Sequence, residues 1–361
     1  MANDPINLYD YEARAKLALF HDAWDFIDAG AMDELTTKRN RIAFDQLTLR
    51  PRFLRSVEER KITARMLGQD ISMPIFVCPA GSHGLAHPDG EVATAKAAGR
   101  SNTLMMLATG STCSLEEVAE AATGPLWFQL YHRGKSLSEM LVRRAEDAGF
   151  KAIVLTVDTP VPSPKERDLR NKFERTLELG NFRGTNLPRS EISGTDETPG
   201  WDVSMADPVA WSDLEWLRGL SSLPLVLKGI RVAEDAKIAA ASGIEGILVS
   251  THGGRQLDQT MSSVEMVPEI IDAVNGSCEV YLDSGIRRGS DVVKALSLGV
   301  KAVGIGRPLY WGLATEGEEG VHKILELLRE EIGRAMDFCG QSDVANLESG
   351  LINIPNDWGP S

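Results

Sequence analysis

Cysteine is scarce in this chain. Its four cysteines, Cys78, Cys113, Cys278 and Cys339, lie far apart and form no C-x-x-C pair. That usage fits reduced, buried thiols and speaks against a disulfide framework or a cysteine zinc site. Nor do His83, His87, His132 and His322 stand at ligand spacing from Cys or carboxylates, so no metal is expected. A run of about 18 uncharged apolar residues is also missing, so no membrane span is expected. The amino-terminal MANDPINLYDYEARAK lacks an apolar signal core, and a cytoplasmic protein is expected. Basic residues are outnumbered: 38 Lys+Arg against 52 Asp+Glu give a formal net charge of −14. That is the wrong sign for a partner with a phosphate backbone, so no nucleic acid is expected. A dinucleotide fingerprint is lacking too. The first apolar run ends in CPAGSHG without G-x-G-x-x-G, and GIGRPLYWG lacks the third glycine at the needed spacing.

What is present is an alternation. Of the 361 residues, 43 % are apolar and 25 % charged, ordinary values for a globular protein. Eight short apolar runs begin at Pro74, Asn102, Pro125, Lys151, Pro224, Gly246, Glu279 and Lys301. They are apolar on consecutive positions, as expected of parallel strands buried on both faces. Helix-like stretches lie between them, and SLSEMLVRRAEDAG and RVAEDAKIAAASG end at glycine, a helix stop. Eight strand–helix units are the count of a (β/α)8 TIM barrel of the α/β class, over about residues 74–336. A doubly wound open sheet has fewer strands and a Gly-rich first turn. The whole chain, 1–361, reads as a single domain, with a helical extension at 1–73 capping the barrel's bottom or side and a tail at 337–361. Residues 174–207, rich in Gly, Pro, Ser, Thr and acids, exceed an ordinary connection and read as a mobile lid.

A barrel's active site lies at the carboxyl ends of its strands. Those ends supply Gln129 and Tyr131, Thr156 and Asp158, Lys228, Ser250 and His252, Asp283, and Gly306 with Arg307. One histidine, two carboxylates and a lysine thus converge on one mouth. LDSGIRRGSD and GIGRP place Gly285, Arg287, Gly306 and Arg307 after the last two strands, where barrels commonly hold phosphate on backbone N–H groups and a helix amino terminus. A phosphate site without a nucleotide fold points to a mononucleotide cofactor or a phosphorylated substrate.

NRIAFDQLTLRPR, AHPDGE, WFQLY, LTVDTP, LKGI, HGGRQLD, DSGIRRGSDV and GIGRP follow one another in an order that resembles the FMN-dependent 2-hydroxy acid oxidase and dehydrogenase family. Glycolate oxidase, lactate oxidase and mandelate dehydrogenase belong to that family, and the resemblance covers nearly the whole chain. It implies an FMN cofactor, a 2-hydroxy acid substrate, oxygen or another electron acceptor, and a homotetramer. It also implies roles. His252 would be the base that takes the proton of the 2-hydroxyl, and Asp158 would hold and charge-stabilise its imidazole. Arg255 would clamp the substrate carboxylate with its guanidinium fork, and Tyr131 would hydrogen-bond the substrate. Lys228 would stabilise the anionic reduced flavin. Pro79, Ala80, Gly81, Ala108, Gln129, Thr156 and Ser250 match positions around the ring system, and Asp283 matches a ribityl contact. Gly285, Arg287, Gly306 and Arg307 match the phosphate end.

Departures fall around the substrate. Phe26 stands where the family carries a tyrosine that helps bind the carboxylate, and Pro164 and Lys165 stand where it carries an arginine pair. Lys165 is therefore expected at the substrate, with Arg167 nearby. Thr251 replaces the family's asparagine, and Ala108 and Gly110 replace a serine and a bulky aromatic. These changes predict a wider, less polar pocket, suited to an aryl or branched substrate rather than glycolate. A specialised oxidation of a non-standard substrate, a flavin-dependent isomerase and a flavin-binding protein without turnover are the alternatives. Keeping both His252 and Asp158 argues for turnover.

Overall fold

The computed structural model describes residues 4–55, 57, 59–184, 209–355 and 358. Ahead of the barrel come helices α1 (Leu8–Ala18), α2 (His21–Asp28) and α3 (Leu35–Gln46), strand β1 (Thr48–Leu49), and a hairpin of β2 (Ala64–Met66) and β3 (Gln69–Ile71). The eight expected strands follow: β4 (Ile75–Val77), β5 (Met105–Ala108), β6 (Leu126–Leu130), β7 (Ile153–Thr156), β8 (Leu225–Ile230), β9 (Gly246–Val249), β10 (Glu279–Leu282) and β11 (Val303–Ile305). All neighbouring pairs are parallel, and β11 returns to β4, closing the barrel. The (β/α)8 architecture expected from the apolar runs is the one observed.

Strand side chains alternate between two cores, as a period of two requires. Phe76, Met106, Trp127, Val154, Val226, Leu248 and Tyr281 fill the barrel interior, whereas Ile75, Val77, Met105 and Leu107 face the helices. The β2–β3 hairpin closes the interior from below with Met66 and Ile71. It is tied to β10, because the backbone N–H of Leu67 donates to Glu279, which also accepts from the Tyr281 hydroxyl.

The extension caps the bottom and also reaches the catalytic face. Helix α3 lies over the loop after β9, where Asn40 Nδ2 donates to Thr251 Oγ1 at 2.8 Å. Thr251, a departure in sequence, is therefore held by the NRIAFDQ segment. The expected lid lies largely outside the described residues, from 185 to 208. Its described beginning is anchored: buried Asn181 donates to the carbonyls of Ala108 and Thr109 and accepts from the N–H of Leu115. At the other end, β12 (Ile352–Asn353) pairs antiparallel with β1. Among the described residues no helix is long and apolar enough to cross a membrane.

Candidate active site

The carboxyl ends of the strands surround a solvent-open cavity of about 1050 Å³. Pro79, Ala80, Gly81, Ala108, Gln129 and Lys228 line one reach of it; Asp283, Gly285, Arg287, Gly306 and Arg307 line another; Phe26, Tyr131, His252 and Arg255 line the mouth. Most residues singled out from sequence are thus brought together. Thr156, Ser250 and Asp158 stand one layer back. Gln129 Nε2 donates to Thr156 Oγ1 at 2.9 Å, and Ser250 Oγ accepts from Lys228 Nζ and from the His252 N–H, each at 2.9 Å.

His252 Nδ1 lies 3.1 Å from Asp158 Oδ1, and Tyr131 OH lies 3.2 Å from His252 Nε2. With Nδ1–H donating to the carboxylate, Nε2 is the acceptor and Tyr131 the donor to it; this tautomer follows from the network. Asp158 is fully buried. Burial raises its pKa, but the charges of His252 and Lys228 outweigh that and hold it below the ordinary range. It is therefore an anion throughout the neutral range and favours a protonated imidazole beside it. Gly229, in LKGI, makes this approach feasible. Its φ is +105°, and a Cβ there would sit 2.6 Å from Asp158 side-chain atoms.

Lys228 is buried, which lowers its pKa, yet Asp283 (Nζ–Oδ2 3.7 Å) and Asp158 more than reverse this. A permanent cation consequently stands in the cavity floor, placed to stabilise negative charge that develops there.

Three arginines crowd the other side. Arg255 Nη1 donates to the carbonyls of Phe26 (2.7 Å) and Ala29 (2.8 Å), and Arg307 donates to those of Ile27, Gly253 and Ala29. They cap the orphan carbonyls at the C-terminus of α2, a favourable place for cations. Arg255 also lies over the Phe26 ring at 5.3 Å, and Phe26 stacks on Phe173 at 4.8 Å. Burial, then the neighbouring Arg255, pulls Arg307 down to about 9; burial likewise lowers Arg287, which lies over Trp311. The hydrogen bonds of both go to backbone carbonyls among the described residues. Two half-buried guanidinium groups so placed, at the N-terminus of the helix Arg307–Cys339, fit a dianionic phosphate. With Lys228, Asp283 and the Pro79–Gly81 wall beyond them, the residues present fit FMN.

Lys165 does not line the cavity. It is buried, and its Nζ donates to the Ser163 carbonyl at 3.3 Å. Arg167 is engaged with Glu34, Asp28 and Asp25. Among the described residues, these polar contacts of the two side chains lie in the barrel's rim, and neither side chain lines the cavity. Conversely, Cys78, Ser82, Arg175, Ser284, Ile286 and Tyr310 line the cavity without having been singled out. Cys78 and Ser284 sit next to residues that were chosen, so the strand-end rule could have found them; Arg175 and Tyr310 carry no such signal. Among the described residues no cluster of His, Cys, Asp or Glu could hold a metal ion.

A family model described as FMN-dependent dehydrogenase matches residues 15–354. The chain is 44 % identical to L-lactate oxidase of Nostoc sp., over 98 % of this chain and 99 % of that one. It is also 44 % identical to 2-hydroxyacid oxidase 1 of Homo sapiens, over 96 % of each. Among solved structures, mandelate oxidase with (S)-4-hydroxymandelic acid superposes with a TM-score of 0.90 at 38 % identity, covering 97 % of this chain and 98 % of that one. An active chimera of (S)-mandelate dehydrogenase superposes with a TM-score of 0.90 at 35 % identity, covering 97 % and 99 %.

Proposed function

The chain belongs to the FMN-dependent dehydrogenase family, and from that premise we propose that it oxidises an (S)-2-hydroxy acid with an aryl or branched side chain, rather than glycolate, to the 2-oxo acid. The two electrons pass finally to oxygen, giving hydrogen peroxide, or to another acceptor. The observation that carries the reading is the Asp158–His252–Tyr131 chain at the mouth of a cavity that fits FMN.

FMN, when bound, supplies the two-electron acceptor. His252 Nε2 takes the proton of the 2-hydroxyl as the hydrogen on C2 leaves with its electron pair, and the C2–O bond becomes a carbonyl. Asp158 holds the imidazolium so formed, and Lys228 stabilises the negative charge that the transferred electrons bring to the cavity floor. Arg255 spends Nη1 on the α2 carbonyls; its Nε/Nη2 edge is the fork offered to the substrate carboxylate. Phe26, Phe173 and Ala108 support an apolar substrate body. The exposed apolar side chains of Phe20, Phe53, Leu54 and Phe338 support a homotetramer, the assembly we propose for this chain in the cytoplasm.

Anaerobic mixing of the purified holoprotein with glycolate, lactate, mandelate and branched 2-hydroxy acids tests the reading. Flavin bleaching by mandelate or a branched acid, fastest among the panel, is the expected result, and recovery in air identifies oxygen as acceptor. Bleaching by none of them defeats it.

A further inference from the structure

Five cations line the cavity, and the reaction accounts for four: Arg287 and Arg307 for the phosphate, Lys228 for the electrons, Arg255 for the substrate carboxylate. The fifth, Arg175, comes from no strand end. It follows the short helix Glu166–Asn171, two residues after Phe173, whose ring stacks on Phe26 at 4.8 Å. That stack puts the segment on the substrate side of the cavity, next to the Arg255 fork. Arg175 Nη1 donates to the hydroxyl of buried Ser82 at 3.3 Å. A Cβ built on Gly110 would lie 3.9 Å from the same Nη1, so the guanidinium covers the space left by a residue without a side chain. The Tyr310 hydroxyl, which donates to the Gly81 carbonyl, feels both Arg255 and Arg175. Two guanidinium groups, Arg255 and Arg175, therefore line the same cavity as Phe26 and Ala108.

We propose that Arg175 is a specificity-determining residue that binds a second carboxylate, at the far end of the substrate's side chain. Preferred substrates are then 2-hydroxy acids whose apolar body separates two acid groups, one on the Arg255 fork and one on Arg175. This deepens the reading above and rests on it. A planar guanidinium suits a carboxylate, and the cost of leaving that carboxylate without its partner in a partly dry pocket makes the contact discriminating.

The test compares kcat/KM of the holoenzyme within pairs that differ only at the distal end: mandelate against 4-carboxymandelate, and 2-hydroxyvalerate against 2-hydroxyglutarate. In the wild type the diacid of at least one pair leads by about tenfold or more. Arg175→Gln lowers that diacid's kcat/KM by about 10- to 150-fold, the range of a charge-assisted hydrogen bond, and the monoacid's by less than threefold. Arg175→Lys keeps part of the preference, and it decides the matter if the glutamine variant does not retain FMN. No diacid preference in either pair, a preference that survives Arg175→Gln, or equal losses on both members of a pair overturns the proposal. Monoacids that bleach the flavin without any diacid preference sink this inference alone; a flavin bleached by neither class sinks the proposed function with it.

Discussion

His252 holds a backbone φ of +55°, a conformation that non-glycine residues adopt sparingly, and its N–H is fixed by Ser250. Such an outlier at a base fits strain held by a functional site. Replacing the imidazole removes the proton acceptor but not the phosphate arginines or Lys228. His252→Ala should therefore slow anaerobic flavin reduction by about 10²–10⁴-fold while FMN stays bound. Near-normal reduction would take His252 out of the mechanism. Phe26→Tyr asks a different question at the same mouth. A hydroxyl beside Arg255 restores a contact to the carboxylate, so kcat/KM for glycolate should rise by about tenfold, the low end for such a bond, with little change for mandelate. A gain of equal size on both acids would show that Phe26 does not set the preference. At this scale the strand-end rule gathers residues that line or back one cavity, because a barrel fixes where such side chains point. It could not place Lys165, whose neighbours VPSP turn it into the rim, nor find Arg175, which belongs to a connection with no periodic pattern.

Among the elements, the eight strands were legible because both of their faces are buried, which forces unbroken apolar runs. The β2–β3 hairpin was not. Its strands are three residues each and its turn is Leu67–Gly68, with φ values of +41° and +83°. The primed turn it makes is usually announced by Asn-Gly, and leucine at its first position hides the signal. The last helix hides its shape in the same way. Arg307–Cys339 breaks at Glu316 and Gly317, within ATEGEEG and without a proline, and its two halves meet at Gly312 and Gly320. A Cβ on Gly320 would lie 2.2 Å from the Gly312 carbonyl oxygen, so the halves must part to admit one. Gly320→Ala should destabilise the protein by about 1–3 kcal/mol. Because the first half begins at Arg307, the same change should weaken FMN retention. Thermal melting and equilibrium dialysis of FMN check this; an unchanged melting temperature together with unchanged FMN affinity would show that the halves do not need their close contact.

Over the whole molecule, the surface and the cavity have opposite charge. The chain carries a net −14, yet its cavity gathers five basic side chains against Asp283. Composition gave no hint of this basic interior, since a sum over the chain averages it away. The interior charge has a thermodynamic cost. Burial, then the neighbouring Arg255, pulls Arg307 from its ordinary high value down to about 9. A base whose pKa drops on folding binds fewer protons folded than unfolded between those two values, so stability rises with pH through that window; below about pH 9 both states are charged and the full penalty remains. An anion that pairs with the arginines lifts the penalty. Protein stripped of FMN should thus melt higher in inorganic phosphate than in chloride of equal ionic strength at pH 7. FMN should stabilise it further, and riboflavin, which has no phosphate, much less than FMN. Ligand at about 100 times its dissociation constant contributes about 2.7 kcal/mol, which is roughly 3–4 °C for a chain of this length. Arg287→Met, which keeps an apolar contact with Trp311 but removes a cation, should blunt the responses to phosphate and to FMN and leave that to riboflavin unchanged. If riboflavin stabilises the stripped wild type as strongly as FMN does, the arginine pair is not the phosphate site.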